Sequence, residues 1–157
     1  SDQKWVYDAQ TDSMEKSKFS GPIDMYDGVY YSTFESQNYT YIITSDYTNW
    51  KYKILRYSKK NNTWEEIKSP YPLISGQGIG YADKSLVYYI GGRVDYATTG
   101  VHPYCYTFSE DTNEWRQIVD FPSRISLGIT FRFNSKIYVG IGAGDYESRV
   151  TMYTWEE

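Results

Sequence analysis

With 157 residues, 40% of them apolar and 23% charged, the chain has the length for a single core and too much apolar content for a disordered tail. A net charge of -4, from 16 basic and 20 acidic residues with no basic run, speaks against nucleic acid as a partner. Aromatic residues reach 19%, including 19 Tyr and 5 Trp, and such side chains fit pleated, half-buried surfaces, so an all-β chain is expected.

In chain order, the first expected strand surrounds Lys4-Trp5-Val6-Tyr7, and the next apolar region runs from Gly28-Val-Tyr-Tyr31 to Asn38-Tyr-Thr-Tyr-Ile-Ile43. Tyr57 then leads through the turn Lys59-Lys-Asn-Asn62 into Thr63-Trp64-Glu-Glu-Ile67, followed by Tyr71-Pro72. Strands are expected at 62–68, 77–83, 85–91 and 103–109, with Asp83-Lys84 as a tight turn. Phe108 leads in the same way through Glu110-Asp-Thr-Asn113 to Glu114-Trp115-Arg-Gln-Ile118 and Phe121-Pro122. A hairpin turning on Asn134-Ser135 and a last strand over Val150-Thr-Met-Tyr-Thr-Trp155 complete the series. No segment holds a 3.6-residue apolar period, so no helix is expected.

These segments repeat. Gly78-Ile-Gly-Tyr-Ala-Asp-Lys-Ser-Leu-Val-Tyr-Tyr-Ile-Gly-Gly92 aligns without a gap on Gly128-Ile-Thr-Phe-Arg-Phe-Asn-Ser-Lys-Ile-Tyr-Val-Gly-Ile-Gly142, about 50 residues later. The region 28–43 is a fainter copy without the glycines. Tryptophan opens three units, near Trp5, Trp64 and Trp115, within one domain spanning 1–157. Four short antiparallel strands recurring at this period are the signature of propeller blades.

The blades resemble the kelch type, in which a glycine doublet ends the second strand and an aromatic residue followed by a Trp marks the third and fourth. Ile90-Gly91-Gly92, Phe108 and Trp115 meet that pattern; the third copy has Gly140-Ile-Gly142 and the first has Thr44-Ser45 in place of the doublet. The resemblance implies kelch-type β-propeller blades of four antiparallel strands in three repeats, a partial or half propeller. The strand at Trp5 is expected to be a fourth strand and Val150–Trp155 a third, so that the first strand is the piece the last blade lacks. Three blades fall short of the usual 4 to 8. Either the chain is an excised portion whose missing blades a partner chain supplies, or two copies form a homodimer that completes a six-bladed ring.

Alternating strand direction places the loops 44–52, 91–103 and 142–149 on one side with 8–22, 69–77 and 119–127, where binding is expected. Arg93, Arg124 and Arg149 fall in or beside these loops with Trp50, Tyr96 and Tyr146. Arginine forks with aromatic platforms suit a carboxylate-bearing sugar or an acidic peptide. The plainer reading of Arg124 is the structural arginine that kelch blades carry after the fourth strand, and of Arg93 and Arg149, solvated loop cations. His102 is the sole histidine and Cys105 the sole cysteine, which leaves no intrachain disulfide and few partners for a metal site or a nucleophilic triad. Gly76-Gln-Gly-Ile-Gly80 and Gly140-Ile-Gly-Ala-Gly144 open no helix, so close strand packing explains them better than phosphate binding.

The expected function is a non-catalytic binding module for a protein or glycan, with no cofactor, no metal and no catalytic residue assigned. Two alternatives stay open. One is a sugar-processing enzyme similar to the kelch-like N-acetylneuraminate epimerases, with Asp95, Asp145, Glu147 and His102 as acid–base candidates. The other is a structural scaffold in a surface assembly. No stretch approaches the roughly 20 apolar residues of a membrane span. The start at Ser1-Asp-Gln-Lys-Trp5, which reads as processed or excised, favours an extracytoplasmic or cell-surface location.

Overall fold

A computed structural model describes residues 3–18, 31–46, 51–68, 77–93, 100–143 and 148–155. Every regular element among these is a β-strand. The hairpin β1 (Gln3–Asp8) and β2 (Ser13–Lys18) comes first, followed by a four-stranded sheet of β3 (Tyr31–Glu35), β4 (Tyr39–Asp46), β5 (Lys51–Ser58) and β6 (Thr63–Ile67). A second four-stranded sheet holds β7 (Ile79–Asp83), β8 (Leu86–Ile90), β9 (Cys105–Ser109) and β10 (Glu114–Gln117). The third sheet has β11 (Ile129–Phe133), β12 (Lys136–Ala143) and β13 (Ser148–Trp155). Strands pair antiparallel in sequence order within each sheet, the meander of a propeller blade.

Local chemistry sets the outer hairpins. Four-residue turns join β1 to β2, β5 to β6 and β9 to β10, and each ends in a left-handed residue: Asp12 (φ 50°), Asn62 (φ 55°) and Asn113 (φ 56°). Asn and Asp tolerate that conformation because their short polar side chains bond locally. The Tyr7 hydroxyl donates to Asp12 Oδ1 at 2.8 Å, and the Tyr57 hydroxyl donates to Asn62 Oδ1 at the same distance. The rings of Tyr57 and Trp64 lie 5.1 Å apart and those of Phe108 and Trp115 4.9 Å.

This shared hairpin corrects the expected phase. Trp5 lies in β1, which pairs with β2 through a hairpin of the β5–β6 kind and not with β13. β13 is the third strand of the last sheet and pairs there with β12, so among the described residues β1 does not complete that sheet. β6 with Trp64 and β10 with Trp115 each close their own sheet as its fourth strand instead of opening the next. The β7–β8 turn also falls one residue later than expected, on Lys84 and Ser85.

First strands hold the sheets side by side. The Ser32 hydroxyl donates to the Gly78 carbonyl, Thr130 Oγ1 donates to Gly80 O at 2.9 Å, and Arg132 pairs with Asp83 at 2.8 Å. β3, β7 and β11 thus run as neighbours and line a cleft of about 450 Å3. Gly80 explains the close approach, because a Cβ there would sit 1.8 Å from the Phe34 ring. Two apolar cores fill the spaces between sheets. One holds Phe34, Tyr41, Ile43, Ile54, Val87, Tyr89 and Phe108; the other holds Ile79, Ile90, Cys105, Phe121, Ile125, Ile137 and Val139. Full burial of each such side chain contributes about 1.5–3 kcal/mol before entropy.

Candidate binding face

The loop from β8 to β9 is pinned at its base. Gly91 N donates to Tyr104 O at 2.9 Å, His102 N donates to Gly92 O at 3.1 Å, and Arg93 bridges Val101. Gly91 takes φ 64°, and a Cβ there would lie 2.1 Å from the Ile125 carbonyl oxygen. A glycine is therefore required on both conformational and steric grounds. Gly92 N donates to that same Ile125 oxygen at 2.8 Å.

The connection from β10 to β11 is tied on both flanks. Phe121 N donates to Pro103 O at 2.7 Å, Ser126 and Ala143 exchange backbone bonds at 2.8 and 2.7 Å, and Leu127 N donates to Gln77 O at 2.8 Å. Phe121, Ile125 and Ser126 are buried as a result. Arg124, between them, is exposed, and Arg93 is half-buried at the neighbouring loop base. The structure thus joins the segments that carry these two arginines. Arg149 lies in β13 opposite Gly142, with its side chain outside the described residues. Trp50, Tyr96 and Tyr146 also lie outside the described residues, as do Asp95, Asp145 and Glu147.

His102 and Cys105 are packing residues here. The His102 side chain is buried, with its ring centroid 4.9 Å from that of Tyr104. Cys105 is fully buried, its thiol bonds Pro103 O at 3.5 Å, and burial pushes its pKa up to about 12. A thiol so protonated at neutral pH is a poor nucleophile.

A buried polar network was not apparent from the sequence. Arg56, on β5 between Tyr41 and Glu65 in register, donates from Nε and Nη2 to Glu65 Oε1 at 2.9 and 2.8 Å. Its guanidinium carbon lies 4.4 Å from the Tyr39 ring centroid and 5.6 Å from that of Phe108, within cation–π range. The Tyr41 hydroxyl donates to Glu110 Oε1 at 2.7 Å. Burial raises the Tyr41 pKa, and the Glu110 carboxylate raises it further. Burial opposes the charge on Arg56, but Glu65 and Tyr41 outweigh it and its pKa rises. The one sequence signal was Arg56 interrupting the apolar run Ile54-Leu55.

Paired antiparallel sheets with adjacent first strands define an all-β array of propeller blades. Among solved structures the chain is similar to that of YjhT, with a TM-score of 0.65 and 14% sequence identity. The match covers 90% of this chain and 51% of YjhT, so the chain spans about half the length of that protein. At this identity the likeness concerns the fold alone. No family model matches the sequence, and no curated protein does.

Proposed function

We propose that this chain is a kelch-type propeller portion whose loop face binds a protein or glycan ligand without catalysis. The observation that supports this most is the bond from Gly92 N to Ile125 O, which holds the Arg93-bearing and Arg124-bearing segments as one surface. Loops fixed to a rigid scaffold in this way lose little entropy on binding. The ligand chemistry that suits two arginines is a carboxylate, on an acidic sugar or an acidic peptide. The burial of His102 and the raised pKa of Cys105 favour a packing role for both over an acid–base or nucleophilic one. An extracytoplasmic setting belongs to the same reading.

Glycan-array and acidic-peptide binding by the whole chain tests it. Replacing Arg93 and Arg124 by Ala together should weaken any ligand found by roughly 10-fold or more, the scale of a lost charge-assisted bond. Unchanged affinity would remove these residues from the site. Turnover of an acidic sugar by the chain would replace the binding reading with an enzymatic one.

A further inference from the structure

One aromatic pair recurs at the same register in all three sheets: Phe34 opposite Tyr41, Tyr81 opposite Tyr88, and Phe131 opposite Tyr138. The rings stack at 5.0 Å in the first and 5.1 Å in the third, and lie tilted at 6.0 Å in the second. In the first two sheets the next sheet covers this face. Val87, Tyr89 and Phe108 close over Phe34 and Tyr41, while Ile137 and Val139 close over Ile79, Ile90 and Tyr81. Phe34 is 8% exposed and Ile79 3%.

The third sheet presents the same face uncovered. Ile129, the counterpart of Ile79, is 48% exposed, Phe131 is 44% and Phe133 is 61%. Phe133 moreover stands where the second sheet has Asp83, the acceptor of Arg132 from the first strand of the following sheet. The third face has thus exchanged an ion-pair acceptor for another aromatic ring. Contiguous exposed rings of this size mark interaction sites.

We propose that this face of β11 and β12 seats a further four-stranded blade of the same repeat, one not contained in these 157 residues. Its second strand would bring two aliphatic or aromatic residues two apart, as Val87 and Tyr89 or Ile137 and Val139 do. At the position of Arg132 it would carry an apolar residue, because Phe133 offers that neighbour no carboxylate. A second copy of this chain fits less well. Its first sheet would have to use Ile42, the counterpart of Tyr89 and Val139, and Ile42 is already buried within one chain. That sheet would also bring Glu35, which pairs with Lys59 at 3.1 Å, against Phe133 at the cost of desolvating a carboxylate. YjhT, whose fold this chain matches over only 51% of its length, has room for such additional blades.

The test compares the whole chain with an extended chain in which residues 109–157 are repeated after Trp155, so that the copy follows β13 as β10–β13 follow β9. Arg132 of the added copy is replaced by Leu. A Phe133→Cys thiol in the original segment is then probed with Ellman's reagent, Cys105 being buried, with Lys60→Cys as the exposed control. The expected result is fast reaction at 133 in the chain alone and at least a 10-fold slower reaction in the extended chain, with the control unchanged. Equal rates at 133 would overturn the proposal. A second measurement needs no extension: Phe131→Asp with Phe133→Asp in the chain itself should leave Tm within a few degrees and lower the binding of a hydrophobic dye. A large fall in Tm would show that these rings already pack within the chain and would overturn it. A discrete dimer dissociated by the same double substitution would assign the face to a second copy and overturn it equally.

Discussion

The junction between the first and second sheets and the junction between the second and third use matching backbone positions for different chemistry. At the first, Arg56 stands between Tyr41 and Glu65; at the second, Thr107 stands between Tyr88 and Arg116. The first junction packs Phe34, Tyr41 and Phe108 around a cation and a Tyr41–Glu110 bond, whereas the second packs Ile79, Ile90, Ile137 and Val139 around a buried thiol. A repeated backbone therefore fixes which positions face inward but not what fills them. Polar filling succeeds at the first junction because the turn residue Glu110, 9% exposed, reaches Tyr41 from the next sheet.

The largest effect that could break this comparison is Phe108→Ala. Phe108 is fully buried and meets Tyr41, Trp115 and Arg56, so its loss should cost about 3–5 kcal/mol in denaturant melts. Ile137→Ala at the second junction should cost about 2–4 kcal/mol. A smaller loss at Phe108 than at Ile137 would mean that the aromatic junction is the less tightly packed of the two. Tyr41→Phe should cost about 1–3 kcal/mol, because it leaves buried Glu110 without its donor. Thr107→Val, which gives up only a 3.4 Å bond to Arg116 O, should cost about 1 kcal/mol or less.

Alkali should act on both junctions. The folded-state pKa of Cys105 is raised from 9.0 to about 12, so its contribution is complete below pH 9 and is lost as pH climbs toward 12. Tyr41 is raised in the same direction, and its contribution likewise fades only above the ordinary Tyr value of 10.0. Cys105→Val should flatten the stability profile between pH 9 and 12, and an unaltered slope there would contradict the burial of the thiol. The smallest effect belongs to Arg132→Ala. That pair with Asp83 is 43% exposed on the Arg side, and its loss should change stability by about 0.5 kcal/mol or less.

Much of the architecture was legible because it is written locally and repeated. Tyr57 with Asn62 and Trp64, and Phe108 with Asn113 and Trp115, each encode a hairpin through a left-handed turn residue and a ring-on-ring contact. The start of the chain departs from expectation because Trp5 lies in the first strand of its hairpin, whereas Trp64 lies in the second. The better guide was Tyr7 with Asp12, which carries the same hydroxyl-to-side-chain bond as Tyr57 with Asn62. For the role of Arg56 the sequence offered only its place after the apolar pair Ile54-Leu55. Its burial depends on Phe108 and Glu110, which are distant in sequence and belong to the next sheet. Of the candidate site, Arg93 and Arg124 could be assigned to one side from strand direction, but the Gly92–Ile125 bond that joins their segments is a tertiary contact.

β3, β7 and β11 run side by side as the first strands of successive sheets. A nuclear Overhauser effect between the Gly80 α-protons and the Phe34 ring tests this most directly, since a Cβ at Gly80 would lie 1.8 Å from that ring. The packing described predicts a strong cross-peak. Its absence, in a spectrum where the Gly80–Tyr89 cross-strand contacts within the second sheet are intact, would contradict the side-by-side arrangement of the sheets.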